Sequence, residues 1–178
     1  IEDNGIGMDE ITKKKIFEPF FTSNMSISKQ LAKHLRDVHF GGNWTTTDLK
    51  TTLSDVKWED ALTQVYSMNS IAALTFHMTY YVEVLIIVLE ENKLTGKDEI
   101  SWVLPVIQSK KDWDTLLEGI WQKAEKAATL IEALPDEQLT RDFVDPKYGT
   151  HFRNIAGIIE HMHYHLGQIV IIKKLLTK

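Results

Sequence analysis

Four stretches of the chain place apolar residues at helical spacing. The first runs from 26 to 38, with Ile27, Leu31, Leu35 and Val38 on one stripe, and Gly41-Gly42 ends it. The second runs from 70 to about 90, with Leu74, Met78 and Tyr81 on its inner face and Asn69 or Ser70 as its cap. The third runs from 110 to 134. Its stripe includes Trp113, Ile120, Ala124 and Ile131, Ser109 and Asp112 resemble a capping pair, and Pro135 forbids continuation. The fourth runs from 151 to 176, with Lys173 and Lys174 near its negative end. An irregular stretch with short helical pieces, 44–67, separates the first two. No internal repeat or low-complexity tract interrupts the pattern. Four long amphipathic helices predict an all-α four-helix bundle.

The fourth stripe carries an anomaly. Ile158, His161, Met162, His165, Ile169 and Ile172 share it, so two imidazoles one turn apart point where the apolar side chains point. A divalent metal held between helices accounts for such a pair, and a hydrogen-bonded core histidine is the other reading. His34, His39, His77, His151 and His163 remain as further ligands. His163 points elsewhere. His77 falls on the inner face of the second helix and is the best third ligand. With no cysteine in the chain, such a site must use His and carboxylates. His77, His161 and His165 would leave positions open on the metal, as catalytic sites do.

The connection 92–109 is long and apolar, with Ile100, Trp102, Val103 and Leu104. It either covers one end of the bundle or places Trp102 in the wall of a pocket. Asn43 and Trp44 follow a glycine pair that lets the backbone turn sharply toward the site. Tyr81 shares a face with His77, and Gln168 is placed to orient a ligand or bound water. His151 and Asn154 lie on roughly the stripe of His161. Packing or helix-end hydrogen bonding is the alternative for each of these. Glu83 and Glu160 could act as bases, but both lie off the ligand stripe.

Composition narrows the classes. The chain has 178 residues, 43% hydrophobic, enough for one sizeable core. A net charge of −5 argues against nucleic acid as a partner. Glu83 interrupts the best apolar run, so no membrane span is expected. No secretory signal is visible, and a cytoplasmic location is the default expectation. There is no P-loop, dinucleotide fingerprint or nucleophile triad.

The residues His161 and His165 followed by Gly167-Gln168 resemble the last-helix motif of the DinB-like (damage-inducible) metalloproteins. Asn69-Ser70-Ile71-Ala72 leading to His77 resembles the helix carrying their first histidine. The stretches Phe40 to Trp44 and Asp145 to Gly149 also match one branch. The resemblance covers residues 25–178. It implies a four-helix bundle, a homodimer, and a three-histidine site for one divalent metal: nickel, zinc, iron or manganese. Relatives implied by it use a low-molecular-weight thiol. A second resemblance covers residues 1–23. Ile1 to Met8 looks like the ATP box of histidine-kinase-type (GHKL) ATPases, and Ile16 to Ser23 like their phenylalanine box. The rest of that ATPase site is missing, and Met25 opens the first bundle helix. Residues 1–24 are therefore expected to be a fusion or read-through remnant, not an independent domain, and 25–178 to form the bundle.

Three neutral imidazoles leave a metal its full double-positive charge, which activates water or a thiol. The sequence thus predicts a metal-dependent enzyme acting on a small molecule, by thiol transfer to an electrophile or by hydrolysis. A non-catalytic metal-binding or dimerising bundle is the competing prediction.

Overall fold

The computed structural model describes residues 25–176. Eight α-helices are described: α1 (Ile27–Phe40), α2 (Leu49–Leu53), α3 (Trp58–Leu62), α4 (Ile71–Glu91), α5 (Asp98–Ser101), α6 (Lys110–Glu132), α7 (Asp136–Leu139) and α8 (His151–Leu176). A 3-10 turn, Pro146–Tyr148, precedes α8. The boxes read in residues 1–23 lie outside the described residues.

Side-chain caps fix where the long helices begin. Ser26, Ser70 and Ser109 each accept from the backbone N–H three residues on. Asp112 returns the bond, accepting from the Ser109 hydroxyl at 2.8 Å and the Gln108 N–H at 3.0 Å. α1 has a second cap invisible to local pattern. The Asp136 carboxylate accepts from the N–H groups of Ile27 and Ser28, both at 3.0 Å. These bonds satisfy orphan donors and place a negative charge at the positive helix end. They hold the Asp136 carboxyl below its ordinary range. The first turn of α1 therefore meets a polar helix start rather than an apolar face. Ile27, expected on the buried stripe, is 49% exposed.

α1 and α4 sit diagonally, each packed against both α6 and α8. The central layer includes Leu35, Met78, Leu85, Ile120, Ile155 and Met162, all nearly inaccessible. Each such side chain contributes about 1.5–3 kcal/mol on leaving water. In the stretch 44–67, the link between α2 and α3 meets Trp113, whose indole N–H donates to Val56 O at 3.1 Å.

One expectation needs correction. α4 is long and apolar enough to cross a membrane by length and composition, although Glu83 lies within it. A single acidic residue does not offset the Leu, Ile and Val around it. Of its most apolar window, 67% is buried inside the bundle, where that apolar surface packs against α6 and α8.

The 92–109 connector folds back onto α4. Asn92 turns the chain in the left-handed region at φ 53°, which Asn tolerates. Gly96 lets the backbone approach Val84 so closely that a Cβ would sit 3.1 Å from its methyls. The Lys97 N–H donates to the Tyr80 hydroxyl at 2.7 Å, and the Tyr81 hydroxyl donates to Asp98 at 2.6 Å. These anchors bring α5 and Trp102 beside the histidine face of α4.

Candidate metal centre

His77 on α4 and His161 and His165 on α8 converge. Their ligand atoms all lie within 4.8 Å of one another. His161 Nε2 is 3.1 Å from His77 Nε2 and 2.9 Å from His165 Nε2. Because His161 and His165 are one turn apart on α8, the helix itself sets their pairing. His77 arrives because α4 packs beside α8.

The outer nitrogens decide the chemistry of the inner ones. Ser101 Oγ gives its only proton to Asp98 O at 2.6 Å, so at its 2.8 Å contact with His77 Nδ1 it accepts. His77 therefore carries its proton on Nδ1. Gln168 Oε1 lies 2.7 Å from His165 Nδ1 and can only accept. His165 is then also protonated on Nδ1. Both rings aim Nε2 lone pairs at His161 Nε2, which has one proton at most to share between two contacts. The cluster is thus short of a positive centre. A divalent metal bonded to two imidazoles at ~2.0–2.1 Å holds their nitrogens roughly 3 Å apart, and partners on the far nitrogens are the usual support of metal-binding histidines. The three residues fit such an ion.

Burial keeps His77 and His161 in ligand form. Desolvation first, then the neighbouring His165, pushes His77 down to about 4. His161 falls to about 4 for the same reasons, with His77 adding to them. Trp102 stacks on His77 at 3.7 Å between centroids, inclined 15°. Tyr81 stands edge-on to His77 at 5.3 Å and to His161 at 5.1 Å. One side of the cluster is thereby walled.

The other side opens. A cleft of about 690 Å³ is lined by His161 and Tyr81 together with the turn Pro146–Tyr148, Arg153 and Gly157. The open direction therefore leads from His161 into the cleft.

Asn43 and Trp44 do not reach this place. Gly41 and Gly42, at φ +103° and +98°, do turn the backbone, but they turn it toward the C-terminal part of α8. Thr46 and Thr47 share a hollow there with Val170 and Lys173, five and eight residues beyond His165, or about 7.5 and 12 Å along the helix. Asn43 spends its amide on Asp37 O and Thr47 O, at 3.0 and 2.7 Å. Trp44 is 98% exposed. His151 Nδ1 lies 3.1 Å from Arg141 O, and the Asn154 amide donates to Tyr148 O and Thr150 O. Both serve the start of α8, and Asn154 also lines the cleft, as its position on the stripe of His161 suggests. His163 is not part of the cluster; burial, and then the neighbouring His34, hold its imidazole below the ordinary histidine range. Glu83 pairs with Lys123 at 2.6 Å, and Glu160 is exposed.

Ser101, Asp98, Arg153 and Gly157 are absent from the sequence reading. Ser101 sits next to Trp102, but nothing in the connector's pattern says which residue would face His77. The row Arg153, Gly157, His161 at four-residue intervals was the available signal for the cleft wall.

The sequence pattern of the DinB superfamily matches residues 42–169. The chain belongs to that superfamily. Neither a curated protein nor a solved structure matches it. Membership and the three-histidine cluster together are compatible with metal binding. The ATPase-like resemblance of residues 1–23 gains no support, since the matched region begins well after it.

Proposed function

We propose that this protein is a metal-dependent enzyme that transfers a thiol to a small electrophile or hydrolyses a small molecule. One divalent metal, nickel, zinc, iron or manganese, would be held by His77, His161 and His165. The observation that carries this reading is a three-histidine cluster in which Ser101 and Gln168 fix the tautomers of His77 and His165 from behind, while His161 lines an open cleft. A purely structural site is closed by a fourth protein ligand; among the described residues the cluster has three. The bound metal would supply Lewis-acid activation of a thiol or of water. Ser101 and Gln168 hold the ligand rings in their tautomers. Trp102 covers His77 on one side, and the cleft lined by Tyr81 and His161 admits the substrate.

The test is a rate measurement on protein loaded with each metal in turn. Glutathione with 1-chloro-2,4-dinitrobenzene probes thiol transfer, and a p-nitrophenyl ester probes hydrolysis. Turnover above the uncatalysed rate, abolished by a chelator and restored by metal, is expected for one of them. A full equivalent of bound metal with no rate in either assay would favour the non-catalytic bundle.

We also propose a homodimer through bundle helices. Tyr164 and Ile171, seven residues apart on one face of α8, are 65% and 57% exposed. Ile86, an apolar position off the main stripe that could have served a partner, is instead only 6% exposed within the core. Light scattering at micromolar concentration is expected to give twice the chain mass, and a monomer mass would end this proposal.

A further inference from the structure

We infer that the substrate is an anion, and that Arg153 binds its carboxylate or phosphate one helical turn from the metal centre. The inference rests on the proposed function, because it assigns the substrate class of the same site.

Arg153, Gly157 and His161 form one row along α8 at four-residue spacing. A β-carbon placed on Gly157 would lie 3.9 Å from a terminal guanidinium nitrogen of Arg153. The guanidinium therefore lies over Gly157, on the His161 side, while Arg153 as a whole stays exposed to solvent. Helix side chains lean toward the N-terminus by default, so this is the less usual direction. Gly157 stands mid-helix, where glycine is the least favourable residue after proline. No backbone contact requires it there. A longer side chain at this position would occupy the space between Arg153 and His161.

The charge of the guanidinium is unspent. Among the described residues Arg153 makes no ion pair, whereas Arg36 binds Glu125 and Glu132. Lys147, the other cation on the cleft, is tied to Asp145 at 3.0 Å and lies over the Tyr148 ring. None of the residues lining the cleft is acidic, in a chain whose net charge is −5. A cleft with that imbalance, lined in part by a ligand of a divalent metal, concentrates anions. Arg presents a planar pair of donors matched to carboxylate or phosphate. Gly157 and His161 are four residues apart, about 6 Å along the axis. The anionic group must then lie within a few bonds of the atom that reacts at the metal.

The chain has three arginines, Arg36, Arg141 and Arg153, so the Arg153 Nε–H resonance is readily assigned with an Arg153→Lys variant. The test titrates 3-mercaptopropionate, and its neutral amide 3-mercaptopropionamide, into zinc-loaded and zinc-free protein. Binding is followed by calorimetry and by the Arg153 resonance. The acid is expected to bind zinc-loaded protein about tenfold more tightly than the amide, the scale of one charge-assisted pair. Arg153→Gln should erase that preference while keeping the zinc content of the parent, and Arg153→Lys should keep part of it. Gly157→Leu should weaken the acid without unloading zinc. Equal binding of acid and amide, or a preference that survives in Arg153→Gln with zinc bound, overturns the inference and leaves the metal centre standing. If the protein takes up none of zinc, nickel, iron or manganese, the proposed function fails. The anion site is then judged on the zinc-free arm: it stands if only the acid shifts the Arg153 resonance, and falls if neither or both do.

Discussion

His161→Ala is expected to abolish metal binding, taking zinc or nickel content from about one equivalent toward zero. His161 Nε2 is the nitrogen that touches both others, at 3.1 and 2.9 Å, so its loss leaves two imidazoles on separate helices. His165→Ala should do the same. Ser101→Ala and Gln168→Leu remove only the partners behind His77 and His165, and each should weaken metal affinity roughly 10–100-fold. His163→Ala should change nothing, because that ring lies off the cluster. Metal analysis of the purified variants, made without a histidine tag, checks the series. Retention of a full equivalent by both His161→Ala and His165→Ala would place the site elsewhere.

Acid provides an independent reading. Burial, chiefly, lowers His77 and His161 from 6.5 to about 4 in the folded chain. The unfolded chain takes up protons near 6.5, and the folded chain only near 4. Stability of the metal-free protein is therefore full above about pH 6.5 and falls as the pH drops toward about 4. His39, buried and also lowered to about 4, adds to the same loss. Metal binds the same neutral rings, so holo protein should melt above apo protein across this range, and the gap should close as the rings protonate near pH 4. Coincident apo and holo profiles between pH 6.5 and 4 would contradict this.

The histidine cluster was legible because helical phase is a local property. Once 158–172 reads as one stripe, His161 and His165 must share its direction, and His77 follows from the second stripe by the same rule. The starts of α4 and α6 were legible for a similar reason, since Ser70 and Ser109 act within three residues of themselves. What failed depended on where segments land. Gly41-Gly42 announced a turn, but its direction was set by packing against α8 near Val170, so Trp44 faces solvent instead of the site. Ser101 and Asp98 lie in a connector with no period to extrapolate. Its fold is dictated by contacts to Tyr80, Tyr81 and Val84 on another element. The exposure of Ile27 depends on Asp136, 109 residues away from it. Arg153 and Gly157 lie in a readable row, yet the direction of a flexible guanidinium belongs to the folded protein.

Trp113→Ala is expected to cost more stability than any other single change considered above. The side chain is 2% exposed at the first turn of α6. Its indole N–H donates to Val56 O, so it joins α6 to the link between α2 and α3. Truncation removes the ring and leaves a cavity, a combination that costs about 3–5 kcal/mol in buried aromatic sites. It also leaves Val56 O without that donor. For a chain of this length each kcal/mol moves the melting temperature by about 2–4 °C, so a drop of roughly 10 °C is expected. Trp113→Phe keeps most of the volume and loses only the hydrogen bond, and should fall by about a third as much. Metal content at low temperature should survive both substitutions, because Trp113 touches none of the three histidines or their partners. Thermal melts of the metal-free variants decide the matter: if Trp113→Ala melts within about 2 °C of the parent, the ring is not part of the cooperative core and the packing of 44–67 against α6 is wrong.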